Sequence, residues 1–404
     1  MTLLPVPELD RESVRRWVET HLAGLYSGNA TGSPAFVGGQ RAADKALASF
    51  DVAGYAGKRN EVWPEHRQGA SRLSPYIRHN LLSLPEVWAA VKGGPSRDVS
   101  KFRDELLWQE YARHLYARLR EATRQGLRSS LVGTTGRDGW PRSMSCVDLA
   151  VRQLEDDGWV VNQARMWLAS QWAVREGIDW REGEDRFFRH LLDGSRAANR
   201  LGWQWTVGTG TGRSYGFSRQ QVERRAPGLC HSCPHERDCP IAEWPDDPSL
   251  ERSVPDPRLK TDLDAAATAG PDGVETKGTP QAVWITAESL GDRDPALVAH
   301  PDLPAVFVFD IGLLEKLQLD GKRLVFLTET LADLGTRRSL EVHLGRPEEI
   351  LANRAVAATF TPVPGWRRKA VVIDPVTLHP WPWLRRPRAG SVASFSAWRK
   401  SLDR

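Results

Sequence analysis

The change of hydrophobic period near residue 246 constrains this chain more than any other feature. Upstream, apolar residues recur at three- and four-residue spacings, as in KFRDELLWQEYARHLYARLREATRQ, and strand signals are scarce, so residues 1–245 read as mainly helical. The Pro- and Asp-rich stretch EWPDDPSLERSVPDPRLKTDLDAAATAGPDG breaks that period, and residues 246–280 read as a linker. Beyond it AVWITA, AVFVFD, SLEVHLG and KAVVID are short β-rich runs, the first three alternating with helical stretches such as LDGKRLVFLTETLADL. That alternation predicts a smaller, Rossmann-like parallel α/β domain over residues 281–385, followed by a basic tail, 386–404. The expected fold class is multi-domain: an all-helical domain, then α/β.

With 404 residues, 40% hydrophobic and 26% charged, the chain has the composition of a soluble globular protein long enough for two domains. No apolar run approaches the roughly 18 residues of a membrane helix, and MTLLPVPELDRE lacks the features of a signal peptide. A cytoplasmic monomer with no membrane contact is expected. The net charge of +4 permits a polyanionic partner without demonstrating one. From Trp366 to Arg404, nine Lys or Arg stand against two Asp, so the C-terminal end carries +7. Seventeen Trp against six Tyr is an unusual balance, open to core filling, stacking or electron transfer.

Candidate chemistry lies in four segments. In GWVVNQARMWLAS, a helix would place Asn162, Arg165 and Met166 on one face, where a half-buried Arg165 needs an acid, and Asp193 is a candidate. A purely structural ion pair would look the same. In DELLWQEYARH, Glu105 and Trp108 are three apart, a carboxylate beside an indole able to bind and stack a flat heterocycle. In GASRLSPYIRHN, Ser71, Arg72 and Ser74 precede Pro75, hydroxyls and a guanidinium near a helix start that suit a phosphate. The fourth, DGSRAANRLGWQW, carries an acid, an amide and two tryptophans one residue apart.

Taken in order, YAGKRN with SRLSPY, ELLWQEY, GWVVNQARM, DWREGEDRFFRHLLDGSRAANRLGWQW and GTGT resemble the flavin-binding catalytic domain of the photolyase and cryptochrome family, over residues 36–217. The resemblance implies FAD as cofactor. Tyr55, Arg59, Ser71, Arg72, Leu73 and Ser74 fall on the family's phosphate and ribityl motif, with Ala70 in place of its usual Thr. Arg165 and Asp193 match the pair against the isoalloxazine, Asn199 the residue facing flavin N5, and Ser195 replaces a frequent second Asp. Trp203 matches the proximal electron donor and Trp180 the next relay. The usual third Trp is missing near Leu127, and Trp167, Trp172 or another cofactor is a candidate substitute. Glu105, Trp108, Asn162, Met166 and Trp205 match residues that contact a flipped-out cyclobutane pyrimidine dimer. The implied activity is light-driven repair of UV-damaged DNA, a deoxyribodipyrimidine photo-lyase. The alternative is a cryptochrome-like blue-light photoreceptor without repair, favoured by Gln163, Ser195 and the changed domain order; Gln109 and Gln163 both stand where the family often has Arg. The α/β stretch resembles the family's antenna domain, which usually comes first, so the order here is circularly permuted. An antenna chromophore, if any, is not identified.

All four cysteines suit one site: Cys146, and Cys230, Cys233 and Cys239 in CHSCPHERDC. Four thiolates are what a 4Fe-4S cluster requires, and a subgroup of bacterial family members carries one. Zinc is the competitor, since four thiolates also suit a tetrahedral site.

Overall fold

A computed structural model describes residues 2–402. The chain ahead of residue 245 is helical, as its periodicity predicts. Its longest helix, Ser96–Leu119, is buried on most sides, including Phe102, Leu106, Leu107, Tyr111 and Leu115. Three polar side chains in it are buried too, and each finds a partner, as low-dielectric burial demands. Glu110 accepts from the Arg385 amide at 2.8 Å, His114 bonds the Arg385 carbonyl at 2.7 Å, and Arg118 pairs with Asp262 at 3.1 Å.

Those partners correct two boundaries. Residues 246–280 do not run free: the two-residue strand β3 (Glu251–Arg252) pairs with β2 (Ser129–Ser130), and Leu259 is buried. Asp262 is fixed there because Arg118 would otherwise be a buried, uncompensated charge. The basic tail likewise folds back, its helix Phe395–Leu402 burying Trp398 against the long helix. Arg118 also donates to the carbonyls of Arg388 and Gly390, both at 2.7 Å.

The second part is a seven-stranded sheet. Its strands are β1 (Thr2–Leu4), β4 (Glu275–Thr276), β5 (Ala282–Ile285), β6 (Ala305–Asp310), β7 (Leu340–Gly345), β8 (Val356–Thr359) and β9 (Thr377–His379), in the order β1-β7-β6-β5-β8-β9-β4. From β7 to β9 the neighbours are parallel, and β1 and β4 close the two edges antiparallel. This is a doubly wound arrangement whose order reverses between β5 and β8. Two details depart from the sequence reading. Residues 2–4, placed there with the helical part, form an edge of this sheet. KAVVID is not a strand: it ends the helix Pro364–Ile373, with Val371 81% and Val372 65% exposed. Pro364 sets the first turn, and Trp366 stacks on Trp284 of β5 at 5.6 Å and 11°, so the helix start and its anchor override β-propensity.

The two parts meet across the helix Gly321–Gly335, buried from Gly321 to Leu334. Its Glu329 accepts from Arg11 at 2.9 Å and from the Gly38 amide at 2.7 Å, while Asp333 accepts from the Gln40 amide at 2.8 Å. No helix among the described residues is long and apolar enough to cross a membrane.

Candidate functional site

The helix Asn162–Ala169 and the turn between the helices Trp180–His190 and Arg196–Val207 bring Arg165 to Asp193. One Arg165 nitrogen donates to Asp193 Oδ2 at 2.8 Å and another to the Val160 carbonyl at 2.7 Å. The turn needs Gly194, because a Cβ there would lie 2.8 Å from the Leu191 carbonyl oxygen and 2.9 Å from Arg323 Nη1. Two buried atoms in this turn and the helix after it lack any protein partner, Asp193 Oδ1 and Asn199 Nδ2. A native interior rarely leaves an acceptor and a donor open without a ligand or water to take them. An isoalloxazine ring, with an N–H donor and carbonyl and imine acceptors on one edge, complements such a pair. The residues present fit FAD. Ser195 immediately precedes the second helix, and its side chain makes no capping bond.

Two arginines that sequence reasoning missed hold this turn. Arg78 and Arg323 both donate to the Gly194 carbonyl, at 2.9 and 3.2 Å, and Arg323 also donates to the Phe188 carbonyl. Burial, with Arg78 nearby, pulls the Arg323 pKa down to about 9. Glu184, between Arg196 and Arg200, is raised to about 7 by burial. No sequence pattern marks Arg323, which arrives from the other part of the chain.

Trp203 and Trp205 lie on opposite sides of one helix, 2% and 39% exposed. Helical geometry turns residues two apart by roughly 200°. Trp203 packs on the Trp180 helix at Gly183, where a Cβ would fall 2.1 Å from the indole. It meets Phe187 at 5.2 Å, Phe187 meets Trp140 at 5.7 Å, and Trp140 meets Trp172 at 4.9 Å. Trp140 joins this aromatic series without any signal in the sequence beyond the abundance of Trp. Trp167 lies elsewhere, 6.0 Å from Phe217.

On the long helix, Glu105 is held by Lys101 at 2.9 Å and Arg59 at 3.3 Å. Trp108 is half-buried, with Phe395 stacked on it at 4.0 Å and 8°. Asn162 is exposed and Met166 half-buried, while Gln163 turns inward to donate to the Tyr215 hydroxyl at 2.8 Å. In the segment read for phosphate, several groups are already engaged. Tyr55 packs edge-on against Phe50 and Phe102, Leu73 is fully buried, and Ser74 accepts from the Trp159 indole at 3.0 Å. Arg72 lies over Phe36 and Trp159 at 5.2 and 5.0 Å, and Ser71 accepts weakly from the Leu73 amide at 3.4 Å.

All four cysteines line one cavity, together with Met144, Ser145 and the helix Arg219–Arg225. Cys146 comes from the first turn of Ser145–Arg152, and the other three from the loop that packs against it. Burial, reinforced by the neighbouring thiols, pushes Cys146 up to about 12. Cys233 goes the other way: burial opposes ionisation, but the amides of Ser145 and His235 outweigh it and lower its pKa. A zinc tetrahedron would bring sulfurs within about 3.8 Å of one another, from Zn–S bonds near 2.3 Å. Among the described residues no three such ligands are grouped closely enough to hold a single ion.

Residues 102–224 match the family model described as "FAD binding domain of DNA photolyase". Deoxyribodipyrimidine photo-lyase of Agrobacterium fabrum is 34% identical over 161 residues, 37% of this chain and 34% of the relative. That of Streptomyces griseus is 32% identical over 190 residues, 43% of this chain and 40% of the relative. Among solved structures, a bacterial class III photolyase from Agrobacterium tumefaciens aligns at TM-score 0.38 and 32% identity, covering 41% of this chain and 37% of that one. The Synechocystis cryptochrome aligns at TM-score 0.43 and 22% identity, covering 50% and 46%. The chain spans 34% and 40% of the length of those two curated relatives. Residues 102–224 thus carry the sequence pattern of a photolyase FAD-binding domain.

Proposed function

We propose that this chain repairs cyclobutane pyrimidine dimers in DNA, using FAD and light. The observation that carries the reading is the ion pair of half-buried Arg165 with buried Asp193, whose Oδ1 is left open, as is the buried Nδ2 of Asn199 on the helix that also carries buried Trp203 and exposed Trp205. Bound and reduced, FAD would supply on excitation the electron that lets the two carbon–carbon bonds between the pyrimidines break, and would take it back. Arg165, Asp193 and Asn199 hold and orient the ring. Tyr55, Arg59, Ser71, Arg72, Leu73 and Ser74 line the phosphate and ribityl side. Trp108 and Trp205 stack the extruded bases, whose poor stacking in damaged duplex lowers the cost of extrusion to a few kcal/mol. Asn162 and Met166 line the lesion, and Glu105, fixed by Arg59 and Lys101, hydrogen-bonds it. Trp203 and Trp180 pass electrons inward, with Trp140 and Trp172 as further redox-active indoles, Phe187 packing between Trp203 and Trp140.

The four cysteines would hold a 4Fe-4S cluster that ties the loop 229–239 to the helix Ser145–Arg152. The α/β part corresponds to an antenna-type domain placed after the catalytic one. The test is to illuminate the reduced, FAD-loaded protein with dimer-containing DNA and to count restored pyrimidines and iron on the same sample. Repair in the wild type, lost in Trp108→Ala, with about four irons per chain is expected. A flavin-loaded protein that photoreduces but restores no pyrimidines favours the photoreceptor reading, to which the inward turn of Gln163 points.

A further inference from the structure

We infer that the C-terminal helix Phe395–Leu402 forms part of the DNA-binding face, Phe395 setting the plane of Trp108 and Arg399 with Lys400 meeting the phosphates beside it. The inference rests on the repair reading. Phe395 covers one face of the Trp108 indole almost parallel, and Tyr111 meets its edge at 5.8 Å and 80°. An indole so flanked keeps its orientation, and a base would stack on the face away from Phe395.

The helix is built in rather than draped over. Trp398 is 2% exposed, the Tyr111 hydroxyl donates to the Val392 carbonyl at 2.9 Å, and Arg128 donates to the Ala393 carbonyl at 2.7 Å. Its outer residues, Ser396, Arg399 and Lys400, are exposed. Arg399 pairs with Asp104 at 2.7 Å, and Asp104 also lines a cleft of 360 Å³ with Ala56, Arg59, Arg97, Ser100 and Lys101. Arg97 and Lys101 of this cleft thus stand with Arg399, which Asp104 joins to it, and Lys400 is the next exposed residue of the same helix. A cationic rim beside a stacking platform is the arrangement that tracks a phosphate backbone and receives an unstacked base.

The test measures, on the FAD-loaded full chain, binding of dimer-containing DNA against salt and the kinetics of light-driven repair. Arg399→Gln with Lys400→Gln, both exposed, is expected to flatten the slope of log affinity against log salt by about 1.4 to 1.8, the loss of two phosphate contacts. Phe395→Ala is expected to raise KM roughly 2- to 10-fold, with the effect falling on KM rather than kcat, and Phe395→Trp to restore it. If the wild type repairs DNA while the double variant keeps the wild-type slope and Phe395→Ala the wild-type KM, this inference alone is overturned. If Phe395→Ala does not fold, the slope of the double variant decides. A wild type that holds FAD yet neither binds nor repairs the DNA overturns the repair reading, and this inference with it.

Discussion

Gly183 shows how one atom can matter at the residue scale. Ala is about 1 kcal/mol better than Gly inside a helix, so Gly183→Ala would ordinarily stabilise. Here the added methyl lands on the Trp203 ring, and overpacking a core commonly costs about 1–3 kcal/mol. Gly183→Ala is therefore expected to lower Tm and slow photoreduction of bound flavin, because the indole must shift. Gly202, one residue before Trp203 but exposed and with open space around it, is the control, where Ala should hold or raise Tm. Melting curves and photoreduction rates on both variants decide the point; equal behaviour would remove Trp203 packing as the cause. The ion pair of Arg165 with Asp193 was legible because an unpaired, half-buried guanidinium demands an acid. Arg78 and Arg323 were not, since their contact is with a backbone carbonyl, which leaves no mark on side-chain spacing.

Among elements, the C-terminal helix depends on a neutral histidine. Trp398 donates to His114 Nδ1 at 2.9 Å, and His114 Nε2 bonds the Arg385 carbonyl, so both ring nitrogens are committed. Burial, with Arg118 and Arg113 adding to it, pushes His114 down to about 3. The unfolded chain, titrating near the ordinary 6.5, takes up the proton first. Stability from this contact is therefore full above about pH 6.5 and is lost as pH falls toward about 3. Amide protection over residues 392–402 should decline across that range, and His114→Gln should flatten the decline. His79 is also held near 3 by burial and adds a separate acid loss elsewhere, so the regional readout is needed. Protection that tracks global stability in both proteins would sink the link to His114. The tail read as a solvated basic face because its charges are visible in sequence, whereas the pocket for Trp398 is made by a helix nearly 300 residues earlier.

For the whole molecule, the two parts are interlocked. β1 closes the far sheet, the helix Arg11–His21 packs on Gly321–Gly335, and Glu329 and Asp333 take donors from residues 11, 38 and 40. Heat should then unfold the chain in one transition, with far-UV and tryptophan signals coincident, and deleting residues 2–9 should lower the midpoint of both signals together. Two separated transitions would show independent domains instead. The sequence alone determined the elements whose cause is local: the helical period up to about residue 245, the alternation that makes a parallel sheet, and the motif segments along the helices. It also marked four thiols as one candidate set. Long-range packing set the rest: the first strand belongs to the last domain, KAVVID is helical, Cys146 reaches the other three cysteines, and Phe395 stacks on Trp108. Period and capping are set by neighbours within a few residues, whereas these four outcomes depend on which surfaces bury each other across hundreds of residues, and a single sequence carries no periodic trace of that choice.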